Sequence, residues 1–101
     1  MNGLFGAGIY LAENSSKSDE YCTPNSTGLC YMFLIRAMLG RPYEALNAMN
    51  QQRLAPSGYN SVIGVTKATH PGAFLKKYRE FIIYDRYQTR LEFIIEFRRV
   101  P

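Results

Sequence analysis

The stretch that decides the fold is residues 3–21, GLFGAGIYLAENSSKSDEY. Three glycines in its first six residues predict a flexible loop, which also takes in Met1, and the apolar residues 9–12 predict a short strand. After them, Asn14 or Ser15 can accept the free N–H groups of a first helical turn. Asp19 and Glu20 are then expected near the positive end of that helix. The stretch therefore predicts a loop, a strand and a helix of about two turns.

Three further segments have the character of regular structure. Residues 31–39 are almost all apolar, with Arg36 as the single charge, and they end at Gly40. A strand buried on both faces has this pattern, and so does a core helix of the same length. Side chains alternate through residues 80–84 and, after a polar break at 85–90, through residues 91–98. These last two segments predict strands that share one strongly apolar face.

The segment 41–77 has little sustained periodicity and contains three prolines and three glycines. A short helical piece is expected around residues 44–50. A connection of this length inside so small a chain is either disordered or functional.

The length of 101 residues and 11.6 kDa allows one domain. Three or four strands, one short helix and long loops predict an α+β sheet domain. A two-turn helix is too small to cover sheet segments as apolar as 31–39 and 91–97. Their faces are therefore expected to stay partly exposed unless another segment supplies a layer, so the domain looks incomplete.

The net charge of +4 and the sequence pI of about 9.2 attract polyanions weakly. Seven basic and four acidic residues are interleaved between positions 76 and 99, which is typical of a solvated face and not of a phosphate-binding stripe. Direct nucleic-acid binding is therefore a poorly supported alternative. No apolar run approaches the roughly 18 residues that a membrane helix needs, so no membrane partner is predicted.

Motifs for common cofactors and metals are missing from the sequence. Cys22 and Cys30 are isolated thiols without a nearby histidine, which predicts two reduced cysteines in an intracellular protein, nuclear or cytoplasmic, and no metal. The single histidine, His70, lies in a His-Pro-Gly turn, where a solvated role is expected and not a catalytic one.

Three blocks of the sequence, in the expected order along the chain, resemble one enzyme family. Residues 3–21 are similar to the nicotinamide-pocket segment of the diphtheria-toxin-like ADP-ribosyltransferases, the poly(ADP-ribose) polymerase family, and look most similar to the tankyrases. Residues 58–64, GYNSVIG, are similar to that family's loop before the acceptor-side segment. Residues 78–85, YREFIIYD, are similar to the strand that carries its catalytic glutamate. The resemblance implies the mixed and antiparallel β-sheet core of the ADP-ribosyltransferase fold.

The resemblance also implies roles for individual residues. Glu80 matches the catalytic glutamate that binds the nicotinamide-ribose hydroxyl, and Tyr10 matches the pocket tyrosine of a His-Tyr-Glu triad. Tyr21 matches the tyrosine that stacks on nicotinamide, and Ser18 matches the serine that binds its carboxamide. Lys17 matches a lysine near the ribose. The residues that the resemblance assigns to NAD binding also include Gly8.

Four of these residues also have an ordinary structural interpretation. Glu80 could be an exposed glutamate at a strand edge, Tyr10 could be a core residue, and Lys17 and Ser18 could lie on a helix surface. A carboxylate that faces the sugar suits glycosyl transfer from NAD, and aromatic faces suit a planar cationic ring.

The chain departs from the family pattern in two places. The family's upstream histidine has no counterpart here, since His70 is in the wrong place. The loop that binds zinc in tankyrases is short in this chain and lacks the zinc ligands. Residues 1–101 are therefore expected to be the C-terminal half of a catalytic domain, with Met1 an internal methionine of a longer gene, the start of a truncated gene model, or the start of one half of a split protein. The expected partners are NAD, a protein acceptor and the missing N-terminal half.

The function implied is NAD-dependent protein ADP-ribosyl transfer, with Glu80 favouring polymerisation over single transfer. The 101 residues alone are expected to be inactive. The alternative is a non-catalytic remnant that acts as an interaction module.

Overall fold

The computed structural model describes residues 3–100. Met1, which belongs to the predicted N-terminal loop, lies outside the described residues, as do Asn2 and Pro101. The elements are β1 (Ile9–Leu11), α1 (Ser15–Asp19), β2 (Cys30–Ala37), β3 (Pro42–Ala45), β4 (Ser61–Gly64), β5 (Glu80–Ile83), a 3₁₀ turn (Arg86–Gln88) and β6 (Thr89–Phe97). The chain is an α+β fold, as predicted. No helix within the described part of the chain is long and apolar enough to cross a membrane.

Four strands form the central sheet in the order β1-β5-β4-β3. β5 runs antiparallel to both β1 and β4, whereas β3 and β4 are parallel. β4 is buried along its whole length, and its adjacent residues Val62 and Ile63 point to opposite faces of the sheet. Val62 packs with Phe5, Ala45 and Ile82 on one face. Ile63 packs with buried residues on the other face, so the sheet carries a core on both sides.

Two elements of the central sheet were not predicted. Residues 42–45 form a strand where a helical piece was expected around 44–50, because parallel pairing with β4 overrides local propensity. Residues 58–64 were expected to be a loop, but Ser61–Gly64 within them is the most buried strand. A strand buried on both faces has no alternation to detect.

The connection between residues 41 and 77 is therefore ordered. Besides β3 and β4, it contributes backbone hydrogen bonds that fasten the N-terminal loop. The Ala7 N–H donates to the Gln52 carbonyl at 2.9 Å, and the Met49 N–H donates to the Leu4 carbonyl at 2.7 Å.

α1 confirms the predicted cap and reverses the predicted charge placement. The Asn14 side chain accepts the Ser16 N–H at 2.9 Å. Asp19, however, is the last helical residue, so it lies at the negative end of the helix and not at the positive end. Arg99 explains its presence there: the guanidinium pairs with the Asp19 carboxylate at 3.0 Å and donates to the Cys22 carbonyl at 2.7 Å.

The strands β2 and β6 form a separate antiparallel pair, here called the apolar ribbon. Residues 31–39 are thus a strand, but the predicted burial on both faces is wrong. Phe33 is 60% exposed and Phe93, on the other face, is 65% exposed. α1 lies against only one end of the ribbon, near Met32 and Phe97. The expectation that these faces would remain partly exposed is confirmed.

Candidate functional site

A cleft of about 540 Å³ opens between β1, α1 and the start of β5. We call it the tyrosine cleft. Its lining contains five of the six residues that the sequence nominated for NAD. The lining residues are Gly3, Leu4, Tyr10, Leu11, Ala12, Lys17, Ser18, Tyr21, Leu75 and Glu80.

One wall of the tyrosine cleft is built by α1 and the turn that follows it. Lys17 and Tyr21 are four residues apart, the spacing at which helical side chains are neighbours, and the Lys17 ammonium lies 5.3 Å from the centre of the Tyr21 ring. The Tyr21 N–H donates to the Ser18 carbonyl at 3.1 Å, which fixes the turn. Tyr21 remains 75% exposed, so much of the side chain is accessible to a ligand.

Tyr10 projects from β1 and holds the N-terminal loop against the cleft. Its hydroxyl accepts the Phe5 N–H at 2.8 Å and donates to the Gly6 carbonyl at 2.8 Å. Burial raises the pKa of Tyr10, and the nearby Glu80 carboxylate raises it further. The Tyr10 side chain packs against the core and also lines the cleft, so its interpretation as a core residue and its interpretation as a pocket residue are compatible.

A close approach explains the glycine opposite that ring. A Cβ on Gly3 would lie 2.5 Å from the Cζ atom of Tyr10, a distance that real contacts do not show. Glycine at this position therefore lets the loop cover the tyrosine.

Tyr84 supports the same loop and was not nominated from the sequence. Its hydroxyl donates to the Phe5 carbonyl at 2.5 Å, and burial raises its pKa to about 12. The available signal was the alternation of residues 80–84, which predicts that Tyr84 lies on the same face as Ile82, and Tyr84 does pack against the cluster that contains Ile82.

Glu80 begins β5 and is half-buried at the cleft wall. Among the buried side-chain oxygen and nitrogen atoms of residues 3–100, only Oε2 of Glu80 has no hydrogen-bond partner. A buried carboxylate oxygen without a donor is unfavourable, so this oxygen is available to accept a hydrogen bond from water or from a ligand in the cleft. Glu80 is therefore not an ordinary exposed strand-edge residue.

Gly8 is the nominated residue that does not contribute to the described lining of the tyrosine cleft. A Cβ there would lie 2.6 Å from the Cγ2 atom of Ile82 and 3.1 Å from the Ile83 carbonyl oxygen. Gly8 instead allows the chain before β1 to approach β5 closely.

A second, more polar cleft of about 480 Å³ lies beyond the start of β5. We call it the polar cleft. Its lining includes Glu13, Glu44, Lys77, Tyr78 and His70. The His70 ring contacts the Thr69 hydroxyl at 2.9 Å and the Glu44 carboxylate at 3.3 Å, so the histidine lines this cleft.

Both cysteines are free thiols, Cys30 buried and Cys22 half-buried. Within residues 3–100 no three His, Cys, Asp or Glu side chains group as metal ligands do. The absence of a metal remains a prediction.

The sequence profile of the poly(ADP-ribose) polymerase catalytic domain matches residues 1–77. The chain belongs to the poly(ADP-ribose) polymerase catalytic-domain family. The match covers Tyr10, Lys17, Ser18 and Tyr21, whereas Glu80 lies just beyond it.

Individual members of this polymerase family are similar over most of the chain. Poly(ADP-ribose) polymerase 1 of Gallus gallus is 30% identical over an alignment 118 residues long. The alignment covers 94% of this chain and 12% of that protein. Its Caenorhabditis elegans counterpart is 27% identical, covering 91% of this chain and 13% of the relative. The tankyrase of Caenorhabditis elegans is 41% identical over 51 residues, covering 44% of this chain and 2% of the relative. The chain thus spans a small part of the polymerases that it matches.

Proposed function

We propose that the chain is part of an NAD-dependent protein ADP-ribosyltransferase of the polymerising type, with residues 1–101 forming the C-terminal half of its catalytic domain. NAD is the substrate, and the nicotinamide end of NAD occupies the tyrosine cleft. The observation that carries this proposal is the unpaired, buried Glu80 oxygen in the same cleft as Tyr10, Ser18 and Tyr21.

The side chains of the tyrosine cleft suit a planar, positively charged ring that carries an amide. The exposed face of Tyr21 attracts such a ring through its quadrupole. The Ser18 hydroxyl, which lines the cleft, can hydrogen-bond a carboxamide. Leu4, Leu11 and Leu75 add apolar lining. Such a site, mostly apolar with a few placed polar groups, is typical of small-molecule recognition.

Glu80 is the group that we assign to the reaction. The bond between nicotinamide and ribose breaks with positive charge developing on the sugar, and the ADP-ribosyl group passes to an acceptor. A carboxylate that accepts a hydrogen bond from a ribose hydroxyl stabilises that charge. The same carboxylate helps to activate a hydroxyl acceptor, which supports chain elongation over single transfer.

The chain alone is expected to be inactive. Its one histidine lies in the polar cleft and therefore does not serve beside Tyr10 and Glu80. Catalysis needs reacting groups held within a fraction of an ångström, and no histidine is among the described residues that line the tyrosine cleft. The partners that we propose are NAD, a protein acceptor and the N-terminal half of the catalytic domain, in an intracellular setting.

Complementation tests this proposal. The 101-residue chain is combined with the upstream half of a relative's catalytic domain, and NAD binding is measured by calorimetry and nicotinamide release by an NAD-glycohydrolase assay. We expect the combination to bind and cleave NAD, and Glu80→Gln to abolish cleavage, while Glu92→Gln on the apolar ribbon serves as the matched control. Cleavage by the isolated chain that Glu80→Gln removes would show that the chain is active alone.

The second candidate function is a non-catalytic interaction module. The exposed apolar ribbon favours it, since large exposed apolar surfaces mark interaction sites. Failure of the chain to bind NAD even with the upstream half present would favour this module over the transferase.

A further inference from the structure

The backbone pairing of β1 with β5 stops one residue before Glu80. Ile9 faces Ile83, Tyr10 faces Ile82, and Leu11 faces Phe81. Continued in the same register, Ala12 would face Glu80 and Glu13 would face Arg79. Glu13 and Arg79 therefore stand opposite each other where the ladder ends.

A bidentate ion pair replaces the missing backbone bonds at that point. Nε of Arg79 donates to Oε1 of Glu13 at 2.7 Å, and Nη2 donates to Oε2 at 2.6 Å. This fork-to-fork geometry is stronger and more directional than an ordinary surface pair. The guanidinium also lies 5.0 Å from the centre of the Phe81 ring, which restricts it further.

The pair and the catalytic candidate lie on opposite sides of the same strand end. Ala12 and Glu80 line the tyrosine cleft, whereas Glu13 and Arg79 line the polar cleft. Glu13 and Arg79 are the chain neighbours of Ala12 and Glu80, so the spacing of the ion pair is coupled through the backbone to the spacing of Ala12 and Glu80.

We propose that Arg79 and Glu13 are positioning residues, which clamp the ends of β1 and β5 and so hold Glu80 at the wall of the tyrosine cleft. The proposal rests on the proposed function for the meaning of that position, and its physical part is the fixed spacing of two strand ends. Neither residue contacts the substrate in this proposal.

Amide hydrogen exchange in the wild-type 101-residue chain and its variants tests the clamp without any ligand. We expect Arg79→Ala and Glu13→Ala to speed exchange about two- to five-fold at the slow amides of β1 and β5. The charge-exchanged double variant, Glu13→Arg with Arg79→Glu, should restore most of the protection. Arg36→Ala is the matched control, because it breaks a similar 2.8 Å pair with Glu92 on the apolar ribbon.

Nicotinamide titration of the same variants, each combined with the upstream half of a relative's catalytic domain and followed by amide chemical shifts, tests the link to the cleft. We expect Arg79→Ala to weaken nicotinamide binding about two- to five-fold and Arg36→Ala to leave it unchanged. Unaltered exchange in β1 and β5, or an increase spread evenly over all strands, would overturn the clamp. Faster local exchange with unchanged nicotinamide affinity would overturn its positioning role. Absence of nicotinamide binding by the wild type would instead overturn the proposed function, and the exchange data would still decide the clamp.

Discussion

At the residue scale, the structure gives several side chains a second task beside the predicted one. Tyr10 was nominated as a pocket residue, and its hydroxyl also joins two backbone groups of the loop at Phe5 and Gly6. The resemblance could nominate Tyr10 and Glu80 because their neighbours form recognisable blocks. It could not nominate Arg79, whose importance depends on a partner 66 residues away in sequence.

The hydroxyl of Tyr84 yields a prediction at this scale. Tyr84→Phe removes its hydrogen bond to the Phe5 carbonyl and should lower the free energy of unfolding by about 1 kcal/mol at pH 7, measured by urea denaturation. The pKa of Tyr84 rises from 10.0 to about 12 in the folded chain. The unfolded chain therefore loses this proton first, so wild-type stability should fall between pH 10 and about 12. A variant that shows the same decline as the wild type over that range would refute the assignment to Tyr84.

At the element scale, sequence reasoning was most accurate where a local signal sufficed. The cap of α1 at Asn14 and the strands β1, β5 and β6 have such signals in turn residues and alternation. β3 and β4 lack them, because residues 41–77 show little periodicity and β4 is buried on both faces and so has no alternation. The placement of Asp19 was wrong since its partner, Arg99, comes from the end of the chain.

The ion pair between β1 and β5 yields a pH prediction at this scale. Hydrogen bonding from Arg79 lowers the pKa of Glu13 below its ordinary value of 4.5. A carboxyl whose pKa is lowered by folding stabilises the fold at pH values above its pKa in the unfolded chain. This contribution is lost as the pH falls through its pKa in the folded chain. Glu13→Gln should therefore be less stable than the wild type at pH 7 and equally stable well below pH 4.5. Urea denaturation at several pH values measures this, and a stability difference that persists in acid would contradict it.

At the scale of the whole molecule, the central sheet and the apolar ribbon have opposite characters. The sheet buries residues on both faces, Val62 on one and Ile63 on the other, whereas the ribbon exposes Phe33 and Phe93. The incomplete cover of the ribbon could be predicted from apolar content and the size of the helix. Which strands would form the ribbon could not, because β2 and β6 are far apart in sequence.

This contrast yields a paired prediction. Ile82→Ala should lower the free energy of unfolding by about 3 kcal/mol, because Ile82 is fully buried. Phe33→Thr should change it by less than about 0.5 kcal/mol, because the ring is mostly exposed and threonine suits a strand. Urea denaturation of both variants gives the comparison. A large loss of stability in Phe33→Thr would show that the ribbon is covered in solution.

The central claim is that the tyrosine cleft receives the nicotinamide end of NAD. Titration with nicotinamide of the chain combined with the upstream half of a relative's catalytic domain, followed residue by residue through the amide chemical shifts of the chain, tests it most directly. Ser18→Ala is the informative variant, and Ser16→Ala, on the same helix but outside the lining of this cleft, is its control. The account predicts saturable shifts at Lys17, Ser18 and Tyr21 that Ser18→Ala weakens and Ser16→Ala preserves. Saturable shifts confined to the polar cleft, at Thr66, His70 and Lys77, or no saturable shifts at all, would contradict it.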